Sequence, residues 1–523
     1  MRTALRSKAR ARAAKVSVQQ SYSPPIGGWN ARDALAAMKP TDAIALDNWF
    51  PRPSYVEMRG GSTEHATGTT GNIKTLATYN AMTGTNTMYG YTASGIYDVS
   101  SAGAVGASKL ARTNGKHQWT MFGDATSNWL IAVNGVDKPA YYDGSAWTAV
   151  THLTTPALTG YTGNNVEQFI TVTAFKGRLF FVPINSLSFW YLTAGAAGGA
   201  LTEFDLSGEC PRGGYLMACA TWTRDAGSGP DDFFVAITSE GEAIVYQGTN
   251  PGAANTWAKV GSFVIGRPLG RRCIMQYGGD CIVLTEQGAF PLTALLQSGD
   301  ERNKFALSFK IQDAFTEAAR TYGDVFGWKA ITLPTRDAML VNVPLAEDGS
   351  HEQFVMNVIT KSWCRFTNWD AEDFGILNKA LYFCKGTKTY KAWTGESDLG
   401  ANITYYAKQA FQDFGDSSPK HCKLFMPIMT LNGSVTYATD VDVDFENRTM
   451  SGTTTVTAIG TSVWGTGIWG TATWGSSTIL VRQWSTPAVW EGRWLSGKLQ
   501  IESNTLRGAW SASSIIYESG DGL

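Results

Sequence analysis

The sequence lacks the features that usually indicate a membrane protein, a zinc protein or a hydrolase. No apolar run approaches the ~18–20 residues that span a bilayer, and the basic start has no apolar stretch of the kind that a secretory signal carries. The seven cysteines show no C-x-x-C spacing, so buried free thiols made in a reducing cytoplasm are predicted. G-x-S-x-G, H-E-x-x-H and Walker motifs are missing, and the five histidines are dispersed. We therefore expect no enzyme, no cofactor and no metal site.

Charge is sparse and unevenly placed. Charged residues make up 17% of the chain and the formal net charge is −1. No acidic residue precedes Asp33, and without the first 15 residues 37 basic residues face 44 acidic ones, a charge of about −7. We interpret the basic start as a candidate assembly arm that docks on an acidic surface, with a disordered solubilising terminus or a mitochondrial transit peptide as alternatives. The six residues of this basic arm are Arg2, Arg6, Lys8, Arg10, Arg12 and Lys15.

Glycine and aromatic residues are abundant, with 56 Gly, 19 Trp, 20 Tyr and 24 Phe, and they recur in a hairpin signature. A short apolar run ends in a polar turn with Gly, and a second apolar run follows. Repeats of roughly 40–50 residues, each a small antiparallel sheet, predict a β-propeller. The hairpins are Met88–Val99, Leu130–Asp143, Ala174–Pro183, Phe233–Gln247, Cys281–Thr293 and Leu381–Trp393, with turn glycines Gly95, Gly135, Gly177, Gly241, Gly288 and Gly386.

The fold predicted from these patterns is all-β: a β-propeller of six or seven irregular blades, an additional C-terminal β-sandwich-like domain and an extended N-terminal arm. Residues 1–22 form the flexible basic arm, 23–71 an extended segment with a short helix near Ala31–Met38, 72–395 the propeller and 396–523 the C-terminal β domain. One principal helix is expected near Ser308–Arg320, because Leu307, Ile311, Ala314, Phe315 and Ala318 form an apolar stripe at helical spacing.

A Trp-Gly repeat lies in the C-terminal domain. Gly465–Gly470 is a literal G-x-G-x-x-G, but it lacks the preceding strand and following helix that phosphate binding requires, so we reject a nucleotide site. Trp464, Trp469 and Trp474 recur every five residues. The simpler interpretation is that their rings pack on their own domain. The alternative is a subunit contact, because Trp is enriched among interface anchors.

Acidic residues alternate with apolar ones at Asp440, Asp442, Asp444 and Glu446. The string begins like a calcium loop, but it lacks the turn Gly and the bidentate Glu. A solvated acidic strand face is the favoured interpretation, and the wall of a channel is the alternative. Near other turns Asp231, Asp232, Glu240 and Glu242 offer carboxylates, but a chain with 44 acidic residues supplies such pairs by chance.

Several motifs between residues 24 and 430 resemble the tail nozzle (tail tubular B-type) proteins and packaged-DNA stabilisation hubs of short-tailed bacteriophages. No single motif is diagnostic, but the series is specific. The first group is Pro25-Ile26-Gly27-Gly28-Trp29-Asn30, Asp33, Met38, Asp42-Ala43, Leu46-Asp47-Asn48-Trp49-Phe50-Pro51 and Arg59-Gly60-Gly61. The second is Asn134–Asp137, Lys176–Phe180, Phe189–Leu192, Thr238–Glu242, Gly266–Arg271 and Trp363–Phe366.

The resemblance implies a structural virion protein made in the bacterial host cytoplasm. Six copies would form a ring below the portal and adaptor, contact a tail fibre or tailspike, retain packaged DNA and let double-stranded DNA pass during ejection. It brings no catalytic residues, cofactor or membrane span. Two other classes stay open: a propeller adhesin that binds or cleaves glycans, and a propeller scaffold for protein partners.

Overall fold

A computed structural model describes residues 17–225, 230–297, 302–450, 453–457, 478–488 and 491–519. Six strands precede the repeated hairpins: β1 (Ser17–Tyr22), β2 (Gly28–Trp29), β3 (Asp42–Asp47), β4 (Trp49–Pro51), β5 (Val56–Met58) and β6 (Ser62–Thr67).

Seven groups of three or four antiparallel strands follow, and we number them as blades 1 to 7. Blades 1 to 3 and the short strands between them are β7 (Thr75–Tyr79), β8 (Thr87–Tyr91), β9 (Ile96–Asp98), β10 (Gly103–Ala104), β11 (Gln118–Gly123), β12 (Asn128–Val133), β13 (Ala140–Tyr142), β14 (Trp147–Ala149), β15 (Leu158–Thr159), β16 (Phe169–Phe175), β17 (Arg178–Pro183), β18 (Ser188–Tyr191), β19 (Gly199–Ala200) and β20 (Thr202–Asp205). Blades 4 and 5 are β21 (Leu216–Asp225), β22 (Pro230–Thr238), β23 (Glu242–Gly248), β24 (Trp257–Val264), β25 (Ile274–Tyr277), β26 (Asp280–Thr285) and β27 (Gly288–Pro291).

Two α-helices separate blade 5 from blade 6: α1 (Leu292–Gln297) and α2 (Gln312–Tyr322). Blades 6 and 7 are β28 (Lys329–Leu333), β29 (Ala338–Pro344), β30 (His351–Asn357), β31 (Trp363–Phe366), β32 (Asp373–Leu377), β33 (Ala380–Lys385) and β34 (Lys388–Ala392). The C-terminal strands are β35 (Ile403–Gln409), β36 (Lys420–Leu431), β37 (Val435–Val443), β38 (Thr453–Val456), β39 (Ile479–Arg482), β40 (Glu491–Gly492), β41 (Leu495–Ser503) and β42 (Gly508–Ser519).

The seven blades form a closed ring, which defines a β-propeller. The first strands of successive blades contact each other from β7 through β11, β16, β21 and β25 to β28, and β32 contacts β7 again. Lys329 joins β28 to β32 by donating to the carbonyl of Phe374 at 2.8 Å. The N-terminal strand β6 pairs antiparallel with β34, so the end of the ring is held by a strand from its beginning. Because of this pairing, β34 of blade 7 does not present an unpaired strand edge where the ring closes.

The C-terminal strands form two facing sheets that share their apolar core with the propeller. The first is a ten-stranded sheet in which β3 lies between β31 of blade 6 and β35, so blade 6 continues directly into the C-terminal sheet. The second has seven strands, among them β36, β42, β4 and β5. Trp49 packs between them, with ring centroids 5.6 Å from Tyr405 and 6.0 Å from Trp510. The strand pairing therefore crosses the boundaries predicted near residues 71 and 395, which stay predictions.

The all-β prediction and its hairpins are confirmed. Each predicted hairpin forms an antiparallel pair, from β8–β9 in blade 1 to β33–β34 in blade 7. The principal helix is α2, preceded by a 3-10 turn over Leu307–Ile311, and Ile311, Phe315 and Ala318 are buried as the stripe predicts. Among the described helices, none is long and apolar enough to cross a membrane.

Two predictions for the N-terminal region are wrong. Residues 17–22 do not belong to a flexible arm, because they form β1 and pair with β42. The segment Ala31–Met38 is a series of turns instead of a helix. The side-chain oxygen of Asn30 accepts the backbone N–H groups of Arg32 and Asp33, which holds the chain in a turn at the point where a helix would begin.

The solvated acidic face predicted for β37 is also wrong. Asp440 and Asp442 are buried, while Asp444 and Glu446 lie beyond the end of the strand and are exposed. Asp442 lies between Lys408 Nζ at 2.6 Å and Lys498 Nζ at 2.7 Å, and all three side chains are at most 7% exposed. The lysines of β35 and β41 thus turn an alternating acidic pattern into a buried ion cluster.

Asp442 contacts both lysines of this cluster, which makes the response to substitution asymmetric. Asp442→Asn removes the carboxylate that both buried ammonium groups contact and should cost about 3–5 kcal/mol of unfolding free energy. Lys498→Met leaves a neutral pair of Asp442 with Lys408 and should cost markedly less. Urea unfolding of both variants measures the difference. Equal losses, or a larger loss for Lys498→Met, would contradict the assignment.

Candidate functional site at the propeller axis

The propeller axis is occupied by a buried cluster of charged groups that we call the axial cluster: Arg272, Lys329 and Asp373. Asp373 begins β32 and has no exposed surface. One of its oxygens lies 2.7 Å from Lys329 Nζ and 3.2 Å from an Arg272 nitrogen. The other accepts the backbone N–H of Leu76 at 2.8 Å. One carboxylate therefore joins blades 1, 5, 6 and 7.

Arg272 extends these links across the axis. It lies just before β25, yet one of its nitrogens donates to Thr75 Oγ1 at 2.7 Å and to the carbonyl of His117 at 3.1 Å. The guanidinium carbon also lies 4.7 Å from the centre of the Phe326 ring. Arginine suits this position because its fixed fork of donors serves several acceptors at once.

A second set of ion pairs surrounds the axial cluster on one face. Lys74 Nζ lies 3.1 Å from Glu372 and 2.6 Å from Asp348. Burial lowers the pKa of Lys74, but the ion pairs with these two carboxylates outweigh it and raise that pKa above its ordinary value. Lys329 shows the opposite balance, because burial lowers its pKa more than Asp373 raises it.

His117 is a buried titratable group near the axis. It is 1% exposed, and its ring centroid lies 4.5 Å from that of Tyr91. Burial, together with the charge of Arg112, lowers the pKa of His117 from 6.5 to about 3. The ring is therefore neutral in the folded protein at every pH above that value.

Two cavities lie beside the axial cluster. One of about 250 Å³ is lined by inner strands of blades 2 to 6, including Gln118, Thr171 and Cys219. The other, of about 430 Å³, lies around the loop Gly266–Arg272 and includes Lys116, Tyr215 and Trp328. Arg271 lines both. We call the larger one the axial pocket.

Most residues that sequence reasoning selected lie away from this axis or outside the described residues. The basic arm and Trp464, Trp469 and Trp474 are outside them. Glu242 is buried and accepts the N–H of Arg212, whereas Asp232 accepts a hydrogen bond from Thr223, so these two carboxylates have separate structural partners. In the part of the chain that the structure describes, no group of three His, Cys, Asp or Glu side chains could hold a metal ion.

Sequence reasoning missed the axial cluster because its members are far apart in the chain. A usable signal was present in the pair Arg271-Arg272, which directly precedes the buried residue Cys273 and an apolar strand. Charged residues are rarely buried unless paired, so two arginines at the start of an inner strand indicate an acidic partner on another blade. Nothing in the sequence identifies Asp373 as that partner.

Comparison with known proteins gives distant structural similarities. No family model matches the chain, and no curated protein matches it. BBS1N, solved in complex with ARL6DN, aligns at a TM-score of 0.40 and 11% identity over 68% of this chain and all of its own. The Swd1 propeller domain of Myceliophteria thermophila gives 0.39 and 10% over 63% of this chain and 99% of its own. Raptor of Chaetomium thermophilum gives 0.39 and 10% over 64% of this chain, which spans 29% of Raptor. The propeller assignment depends on the strand pairing described above.

We expect the buried neutral His117 to weaken the protein in acid. In the unfolded chain the ring binds a proton below about pH 6.5, whereas the folded ring stays neutral down to about pH 3. Stability is therefore lost as pH falls between these values, by about 1.4 kcal/mol per pH unit. His117→Phe keeps the ring packing and should remove this part of the slope in urea unfolding. The exposed His152→Phe is the control, and an unchanged slope in His117→Phe would contradict the assignment.

Proposed function

We propose that this protein is a non-catalytic structural subunit of the tail nozzle, or packaged-DNA hub, of a short-tailed bacteriophage. In this role a ring of six copies lies below the portal and adaptor, retains the packaged genome and conducts it during ejection. The support is the series of motifs between residues 24 and 430 together with the positions that these motifs occupy in the fold.

The observation that carries the proposal is that the N-terminal motif residues meet at the buried junction between propeller and C-terminal sheets. Asn30 donates to Asp42 at 2.8 Å, and Asp42 lies 2.6 Å from Lys310 Nζ, beside α2. Gly28 has φ of +80°, and a Cβ there would lie 2.5 Å from the carbonyl oxygen of Trp363, so only glycine fits. Trp29 packs edge-on against Phe354 of blade 6 at 5.2 Å.

A second part of the motif closes the other side of the junction. The guanidinium of Arg59 has no exposed surface and lies 2.6 Å from Asp398. It also donates to Asn48 at 2.7 Å, and Asn48 donates to the carbonyl of Thr404 in β35. The motif residues thus fix the propeller to the C-terminal sheets through buried polar contacts. A hinge between the two would instead need exposed backbone with few hydrogen bonds.

A rigid body of this kind suits a ring subunit that must bear the pressure of packaged DNA. The charge of about −7 outside the basic arm also suits a conduit, because neutralisation of phosphates by Lys and Arg dominates DNA affinity. A wall without that excess of cations lets DNA pass.

A scaffold propeller for protein partners is the second candidate, and the axial pocket favours it. The two functions differ in one observable: a nozzle is incorporated into virions at a fixed copy number, whereas a scaffold is not.

Particles made without the protein should package DNA but leak it or fail to bind the next tail component. Retention of DNA and full infectivity without it would rule out the nozzle.

The basic arm should act in assembly. Deletion of residues 2–15 leaves β1 and its pairing with β42 intact, so the folded body should keep its thermal stability while incorporation into particles falls. Replacing the six basic residues by Gln at full length separates charge from length. Normal incorporation of both variants would show that the arm is dispensable.

The Trp-Gly repeat should act in ring contacts. In the chain it lies between β38 and β39, which are edge strands of the two C-terminal sheets. Replacing Trp464, Trp469 and Trp474 together by Ala should impair ring formation on particles, because one damaged patch recurs at every contact of a closed ring. Thermal unfolding of the variant is the control. If subunit rings form normally in this variant, the three tryptophan side chains are assigned to packing within their own domain.

A further inference from the structure

The loop Gly266–Arg272 between blades 4 and 5 carries three arginines, which differ in burial and in their ion pairs. Arg272 is buried in the axial cluster, and Arg267 lies 3.7 Å from Glu286 at the rim. Arg271 lies between them in the chain, is partly buried and lines the axial pocket. For Arg271 the described structure gives neither a hydrogen bond nor an ion pair.

The loop that carries Arg271 has a fixed conformation. The N–H of Leu269 donates to the carbonyl of Leu284 at 3.0 Å, and the N–H of Glu286 donates to the carbonyl of Arg267 at 3.0 Å. Gly270 has φ of +74°, a backbone conformation that favours glycine and directs the next two arginines toward the axis. The loop backbone that carries Arg271 is therefore held beside the pocket before a ligand binds.

The charged lining of the pocket is net basic. Its charged lining consists of Lys116, Arg267, Arg271 and Arg272 on the basic side and Glu286 and Asp324 on the acidic side. Lys116 is paired with Glu347, and Glu286 is taken by Arg267. Burial lowers the pKa of Arg271, which reflects lost hydration that an anionic ligand would replace.

The size and walls of the pocket select the kind of anion. Val136, Ile184, Met217 and Leu269 supply apolar walls, and Val136 is 56% exposed at the rim. A cavity of about 430 Å³ accommodates one or two side chains. Nucleic-acid interfaces bury roughly 1,000–2,500 Å² of protein surface, which this concavity does not offer.

We propose that the axial pocket binds an acidic peptide segment of a partner protein, with a carboxylate side chain paired to the guanidinium of Arg271. A bidentate pair with a carboxylate satisfies donors that the fold leaves without acceptors. The apolar walls would then cover the neighbouring side chains of the segment. This binding site goes beyond the proposed ring and does not depend on it.

Fluorescence anisotropy of the full chain with a fluorescein-labelled hexaglutamate peptide tests the proposal. The peptide should bind, and labelled hexaglutamine should not. Arg271→Met keeps the length of the side chain without its charge and should weaken binding about tenfold or more. Arg320→Met, at an exposed position of α2, should bind like the unchanged protein. Urea unfolding of both variants verifies that they fold.

Several outcomes would overturn the proposal. No binding of hexaglutamate, equal binding of hexaglutamine, or equal affinity of Arg271→Met would each do so. Inorganic phosphate should displace the peptide no better than sodium chloride does at the same ionic strength. Displacement at much lower concentration would assign the pocket to a free anion, and Arg271-dependent binding of an oligonucleotide tighter than that of hexaglutamate would assign it to nucleic acid.

Discussion

The propeller depends on the buried carboxylate of Asp373, which contacts groups of three other blades. A ring of seven small sheets has a central axis where inner strands diverge, and apolar side chains from short strands do not fill it completely. Here a fully buried carboxylate receives a lysine, an arginine and a backbone N–H from three other blades. Removing one partner from such a cluster lowers the free energy of unfolding by far more than the net contribution of the ion pair to stability, because the remaining charge stays buried.

A similar solution recurs where the propeller joins the C-terminal sheets. Arg59 with Asp398, and Lys310 with Asp42, are buried or partly buried pairs that bind segments more than 200 residues apart in the chain. Together with the shared sheet through β31, β3 and β35, they make one mechanical unit of the propeller and the sandwich. Buried polar contacts of this kind also define a single register, because a displaced strand would leave each charge without its partner.

The sequence contains enough local information to predict the blades and little of what holds them together. The hairpins are predicted by short apolar runs on either side of a glycine turn, and α2 is predicted by apolar residues at helical spacing. Both predictions are confirmed. The prediction of a solvated face at Asp440 and Asp442 is wrong because alternation of acidic and apolar residues is the same for a solvated face and for a face opposite buried lysines. The axial cluster as a whole could not be predicted, since Arg272 and Asp373 are 101 residues apart in the chain and belong to different blades.

Hydrogen exchange of the unchanged protein and of Asp373→Asn, followed segment by segment, tests most directly whether the axial cluster holds the ring. The account predicts that β7, β25, β28 and β32 lose protection together, because each belongs to a blade that the cluster connects. Protection of β36 and β42, in the seven-stranded sheet, should stay unchanged. Loss confined to β32 and its immediate neighbours, with full protection of β25 and β28, would contradict a role of the axial cluster in holding the propeller closed.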